Sequence, residues 1–461
     1  VSPFAICLGW VARAGLPDRR GAWRRSEPRR ARIFRSPLGS ARRLALPLLL
    51  AFNSLSAADT LAPSHLDHRA AAAAAYQRRD YAAAKTATLA ALEIRPDSPR
   101  YLYNLAALAA LTGDAAGAIG YLQRLAGLGV SLPVERDPDF ASLQGTPPFL
   151  RVLQQLAAHR APQGEVDTFA DLPGRTGIIE GLAFRPRTGD LFFSDVHHRC
   201  LWRRDRAGQI SRFSAEDEDL LGMFGIAIDE ERNALWVAMT AVPEMAGFNS
   251  DWKGEAALAE FNLATSELRR VIPVPGDGRD HGLGDLVIGP DGTIFATDSK
   301  APVIWKLAPD ADDFEKVVDS PVFASLQGIT RWKGELIVAD YSHGLFAVEI
   351  TSGRIRAFAP PAGSTLLGLD GLVATAGGLV ATQNGVEPQR IVRIALTPEM
   401  ESITGVTVLA AALPQLGDLS LITIVDGRPT FIAGAGWEGF DPQKTRQPPA
   451  HTVRILQVSL P

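Results

Sequence analysis

At 461 residues the chain is too long for one small domain, and 46% hydrophobic with 21% charged residues excludes wholesale disorder. The formal net charge of −4 hides an asymmetry: residues 1–58 hold 11 Arg and no Lys against Asp18 and Glu27, a balance of +9 that leaves −13 for the remainder. So acidic a body gives no electrostatic ground for binding nucleic acid, and the basic leader reads as a targeting element.

In the leader, Arg42-Arg43 precedes an apolar run over residues 44–52 and the small residues Ser54-Leu55-Ser56-Ala57-Ala58. That order predicts a secretory signal peptide cleaved after Ala58, with a core too short to form a stable membrane span. A buried helix and an Arg-rich organellar presequence are the alternatives. The chain begins at Val1 and its first Met is Met223, so a start near Leu38 fits a conventional signal length. The expectation is an exported protein, periplasmic or extracellular. Cys7 and Cys200 are the only cysteines, and loss of the leader leaves Cys200 alone, which excludes a disulfide framework or a cysteine metal site.

Residues 59–160 are predicted to form a small helical domain. From Ser64 to Leu128 the sequence is rich in Ala and Leu at helical spacing, and Asp80-Tyr81-Ala82-Ala83-Ala84 recurs as Asp114-Ala115-Ala116-Gly117-Ala118, an offset of 34 residues. Ala72, Ala84, Ala91 and Ala118 fall where helices approach closely, with Pro96 closing the first unit. The segment resembles the tetratricopeptide family. Two such units bury little core alone, so residues 137–143 and 149–153 are predicted to add a capping helical pair. These helices would either hold a peptide or protein partner or brace the rest of the chain.

Beyond Pro162 the texture changes to short strands punctuated by Gly, Asp-Gly and Pro turns, an all-β pattern. An apolar strand, a tight turn and a second strand ending in a polar residue recur six times. First strands begin at Glu180, Gly225, Asp285, Gly328, Gly371 and Asp418, at intervals of 45, 60, 43, 43 and 47 residues. This period predicts a six-bladed β-propeller over residues 164–461. Residues 165–169 lack inner strands of their own and 453–458 lack an outer one, so their pairing is predicted to close the ring.

The loops leading into the inner strands share one face with the turns between second and third strands. Glu180, Phe224, Gly284, Asp285, Gln327, Asp370 and Asp418 gather there around the axis, and Asp195, His197, His198, Asp298, Lys300, Asp340, His343, Gln383 and Asn384 end the second strands. Residues 240–255 lengthen one such turn and are a candidate lid. Converging carboxylates repel, and a bound cation, a raised pKa or wider spacing relieves them. Oxygen donors without cysteine favour a hard divalent ion, Ca²⁺ first and Mg²⁺ second. Asp195, Asp298 and Asp340 recur at one blade position and are expected to satisfy backbone N–H groups. Asp285, Asp418 and His281 are placed among the groups that would meet a substrate.

The stretches Glu180-Gly181-Leu182-Ala183-Phe184, Gly284-Asp285 with Pro290-Asp291-Gly292, Gln327-Gly328-Ile329 and Leu369-Asp370-Gly371-Leu372 resemble the senescence-marker-protein, gluconolactonase and luciferin-regenerating-enzyme family over roughly residues 176–410. The resemblance implies a divalent metal on the propeller axis and hydrolysis of sugar lactones. It assigns Glu180, Gln327 and Asp370 to the metal, with Asp370 also the catalytic base. The chain departs from the pattern at three places: Gln327 and Gly284 stand where Asn is expected, and Gly282 where an Arg is. Two functions follow, a metal-dependent hydrolase of a lactone or ester, or a non-catalytic scaffold for a peptide, glycan or envelope partner. No nucleotide-binding loop, Gly-x-Ser-x-Gly elbow or His-Glu-x-x-His helix occurs.

Overall fold

The computed structural model describes residues 64–215, 217, 220–440 and 450–460. The leader, and with it the signal-peptide expectation, lies outside the described residues. Among them no helix is long and apolar enough to cross a membrane.

Five helices come first: α1 (His65–Gln77), α2 (Tyr81–Ile94), α3 (Pro99–Leu111), α4 (Ala115–Gly127) and α5 (Pro147–Ala158). The 34-residue echo has a local cause. Asp80 and Asp114 are the N-caps of α2 and α4, each accepting from the backbone N–H three residues on, at Ala83 and Gly117. A carboxylate there satisfies one of the free N–H groups of the first turn. Ala84, Ala91 and Ala118 are fully buried and Ala72 nearly so, which lets paired helices approach closely. The expected capping pair is realised differently. Residues Pro138–Leu143 form a short 3₁₀ turn, and only α5 is a full helix. Six residues starting at a proline give too few backbone bonds to nucleate an α-helix. Phe140, Leu143 and Phe149 nevertheless fill the base of the helical core.

The remainder is a six-bladed β-propeller. Its inner strands are Ile179–Arg185, Gly222–Asp229, Leu283–Ile288, Leu326–Trp332, Leu369–Thr375 and Ile422–Val425. Each blade is an antiparallel sheet of four strands, and the fifth gains a strand from Gln163–Gly164 against Ala410 and Ala411. In blade six the strand Asp167–Arg175 pairs with His451–Gln457, from Asp167 opposite Gln457 to Arg175 opposite His451. Apolar clusters fill the wedges between neighbouring blades, such as Ala183, Phe192, Met223, Leu235 and Ala259 between blades one and two. Residues 240–255 are no free lid: Met245, Phe248 and Trp252 pack down onto that same cluster. Cys200 is buried in blade one.

The helical region docks on the face that carries the loops into the inner strands. Asp97, between α2 and α3, accepts from the Thr365 hydroxyl at 3.2 Å and the Leu366 N–H at 3.3 Å. Arg390 of blade five, 3% exposed, donates to the Gly129 carbonyl at 2.9 Å and to Gln383 Oε1 at 2.7 Å. Ser131 N–H bonds the Glu387 carbonyl at 2.6 Å. We expect Asp97→Ala to leave a buried hydroxyl and N–H unsatisfied, at a cost of about 1–3 kcal/mol. A lower urea midpoint reads this out, with Asp97→Asn recovering most of the loss, and an unchanged midpoint contradicts it.

Candidate functional site

Five of the six inner strands slip register against their second strand at the same place. The displaced pairs are Glu180-Gly181, Phe224-Gly225, Gly284-Asp285, Gln327-Gly328 and Asp370-Gly371. A bulge suspends strand alternation and re-aims a side chain. In four pairs a glycine comes second because the next blade's backbone leaves no room. A Cβ on Gly181 would lie 2.3 Å from the Phe224 carbonyl oxygen, and one on Gly328 2.3 Å from that of Asp370. Hydroxyls one residue before the end of the second strands tie these bulges together. Ser194 accepts from Gly181 N–H at 2.7 Å and donates to the Phe224 carbonyl at 2.5 Å. Thr297 donates to the Gln327 carbonyl at 2.6 Å, and Thr382 accepts from Gly371 N–H at 2.8 Å.

Glu180, Gln327 and Asp370 therefore hold equivalent positions on neighbouring and opposed blades. The Trp437 indole N–H donates to Glu180 Oε2 at 2.5 Å. Asn384 Nδ2 donates to Asp370 Oδ2 at 2.6 Å and to the Leu419 carbonyl at 2.8 Å, while Asn384 Oδ1 is buried without a partner. Gln327 Nε2 donates to Ser325 Oγ at 3.3 Å. Gln327 Oε1 lies 3.8 Å from where a Cβ on Gly284 would stand. The longer amide thus leans over the position that lacks a side chain.

Blade three inverts the order, and Asp285 takes the place that glycine holds elsewhere. Its Oδ2 accepts from Ile329 N–H of the next blade at 3.2 Å and its Oδ1 from Leu286 N–H at 2.8 Å, so it stitches blades together. Asp418, with φ of 46°, lies before the sixth inner strand, and its Oδ2 accepts from Gly436 N–H at 2.6 Å. His281 offers no free ring nitrogen: Nδ1 is 2.6 Å from Asp298 Oδ2 and Nε2 is 3.1 Å from Asp277 Oδ1. Asp340 accepts from four backbone N–H groups, and Asp195 and Asp298 also anchor their own loops.

The axial carboxyls are held above the ordinary carboxylate range. Burial, then the charge on Asp370, pushes Glu180 up to about 8, although the Trp437 hydrogen bond opposes this. Burial raises Asp285 to about 7, with two backbone N–H bonds opposing it. Burial raises Asp370 to about 6 against the Asn384 hydrogen bond. Among the described residues no cation figures in the groups that set these values.

Among the described residues no three His, Cys, Asp or Glu side chains converge to hold a metal ion. An ion here needs amide oxygens as well as carboxylates. The residues supply them: among the described residues Glu180 and Asp370 have no cation partner, and Asn384 Oδ1 is a buried acceptor without one beside Asp370. This all-oxygen set suits a hard divalent cation. Surface clefts elsewhere hold charges already paired. One of about 390 Å³ contains Glu260, bonded to Arg269 and Arg270 at 2.7 Å each. Another of about 210 Å³ contains Asp195 and His198, 2.8 Å apart.

No protein-family model matches the sequence, and no curated protein does. Solved structures that resemble it include a gluconolactonase from Xanthomonas campestris, at 16% identity over 66% of this chain and 93% of that one, TM-score 0.44. The PQQ-bound aldose sugar dehydrogenase of Streptomyces coelicolor matches at 16% identity over 65% of this chain and 100% of its own, TM-score 0.44. Virginiamycin B lyase from Staphylococcus aureus matches at 13% over 64% and 99%, TM-score 0.40. Three different chemistries stand behind these names, and at such identities none transfers to this chain.

Proposed function

We propose that this protein is a hydrolase of a lactone or ester that works on the propeller axis with a bound divalent cation. The observation that carries the reading is a buried set of axial carboxyls with no cation partner among the described residues, beside Asn384 Oδ1, a buried acceptor without a partner among them. Glu180, Asp370, Asn384 and Gln327 are the residues that would hold the ion. When bound, it would polarise the scissile carbonyl and offset the acidic charge.

The chain's own residues divide the work. Asn384 occupies Asp370 Oδ2, which leaves Oδ1 to take a proton from water. That water adds its oxygen to the carbonyl carbon. As the carbon–oxygen bond to the alcohol breaks, the proton on Asp370 passes to the departing oxygen. Trp437 fixes Glu180 by Oε2, and Phe224, 6.2 Å from Trp437, forms an apolar wall. The basic leader read from the sequence extends this proposal to an exported enzyme.

The test is to strip the full chain with chelator and titrate Ca²⁺, Mg²⁺, Mn²⁺ and Zn²⁺ while following melting temperature and turnover of a lactone and ester panel. The expected result is a saturable rise in melting temperature with at least one ion and turnover dependent on it. No shift with any ion and no turnover across the panel sinks the reading and leaves the scaffold as the better one.

A further inference from the structure

Where the helices meet blades four and five, the basic groups of the helical region collect on one spot. Arg69, Arg95 and Arg100 all lie within electrostatic reach of the buried Tyr101 hydroxyl, and Arg69 and Arg100 within reach of each other. Blade four contributes His343, whose ring stands edge-on to His65 at 4.7 Å between centroids. It also contributes Gly344, where a Cβ would lie 3.5 Å from Arg95 Nη2.

These groups are short of acceptors. None of the three arginines makes an ion pair or hydrogen bond with a described residue, and Arg95 Nε and Nη2 are buried without partners. Two carboxylates act on Arg95, Asp97 and Asp340, but both are committed to backbone and hydroxyl donors. His65 is 5% exposed, and its Nε2 is also buried without a partner. Its Nδ1 is 2.6 Å from the Tyr101 hydroxyl. The same hydroxyl also lies 3.2 Å from the His65 carbonyl, so its single proton is shared between two acceptors of one residue.

We propose that this junction is an oxyanion-binding subsite for a phosphate, sulfate or carboxylate group carried by a small molecule. A guanidinium fork matches such a group in two bonds, and desolvated donors bind it more strongly than exposed ones. Burial already holds Arg69 and Arg95 below the usual arginine range, a cost that a bound anion offsets. Tyr341 joins this spot to the axis, since it lies within reach of both Arg100 and Asp370. The substrate class that fits both ends is an ester or lactone bearing an anionic group, and this identification alone rests on the hydrolase reading. The helical region then completes the site.

Binding of inorganic phosphate to the full chain, followed by calorimetry and melting temperature against chloride at matched ionic strength, tests the subsite. Saturable binding is expected for the wild type and for Arg187→Gln, which removes an exposed arginine elsewhere. Arg69→Gln/Arg100→Gln should weaken it at least tenfold, with Arg100→Lys in between because it keeps charge without the fork. Wild-type binding no stronger than chloride, as when water alone satisfies these atoms, overturns the subsite. So does unchanged affinity in a folded double variant. In turnover assays Arg100→Gln should raise KM for an anionic ester and leave a neutral one unchanged. Phosphate binding without any ester turnover keeps the subsite and removes the hydrolase.

Discussion

Asp370→Asn is expected to lower turnover by about 10²–10⁴-fold, the usual worth of a positioned general base. Asparagine keeps an oxygen to accept from Asn384 Nδ2, so the hydrogen bond that orients the side chain survives while its basicity does not. Turnover should also fall toward acid pH as Asp370 takes up its proton and ceases to act as a base. Stability supplies an independent readout. Both axial carboxyls have folded values above the ordinary carboxylate range near 4, so the folded state holds protons that the unfolded state has released. Their contribution is therefore intact below about pH 4 and is lost as pH rises to about 6 for Asp370 and about 8 for Glu180. In chelator, Glu180→Gln and Asp370→Asn should melt above wild type at pH 9 and level with it at pH 4. Glutamine at 180 still accepts from Trp437, so a fall in melting temperature at both pH values would show that these residues only pack.

Removal of residues 451–461 is expected to prevent folding. The strand His451–Gln457 lies between Asp167–Arg175 and Arg428–Ala433, so its loss strips both neighbours of their hydrogen-bond partner. Val453, Ile455 and Leu456 are fully buried. At about 1.5–3 kcal/mol for each such side chain, their burial alone rivals the total stability of about 5–15 kcal/mol typical of a domain. Size-exclusion chromatography and circular dichroism should find aggregate or unfolded chain. Ile455→Ala should remain folded at a cost of about 2–5 kcal/mol. A soluble deletion variant with wild-type melting behaviour would mean that ring closure is dispensable.

Much of the architecture was legible because blades are local. Apart from the strands at 163–164 and 167–175, which join blades five and six from a distance, each comes from a continuous stretch whose strand period and turns are written in neighbouring residues, such as Leu191-Phe192-Phe193-Ser194 or Pro290-Asp291-Gly292. Asp80 and Asp114 could be matched for the same reason, since an N-cap acts three residues along its own helix. The site was only half legible. Glu180, Gln327 and Asp370 stood out as members of the face that leads into the inner strands and through the family resemblance. Asn384 passed as one of many strand ends, because the recurring joint between blades falls two residues earlier, on Ser194, Thr297 and Thr382. Trp437 gave no signal, because its partner Glu180 is 257 residues away.

Residue order alone set the strands, the turns, the number of blades and the 34-residue helical echo, since each depends on interactions within a few residues or one blade. Only the tertiary structure decided which polar residues share a space. It left Asp285 to bind Ile329 N–H, engaged His281 by two aspartates of its own blade, and set Arg95, which has no ion pair among the described residues, against Gly344 of blade four. Such pairings follow from how one bulge turns a side chain and how one domain sits on another. Those are distances across the ring, and spacing along the chain does not encode them.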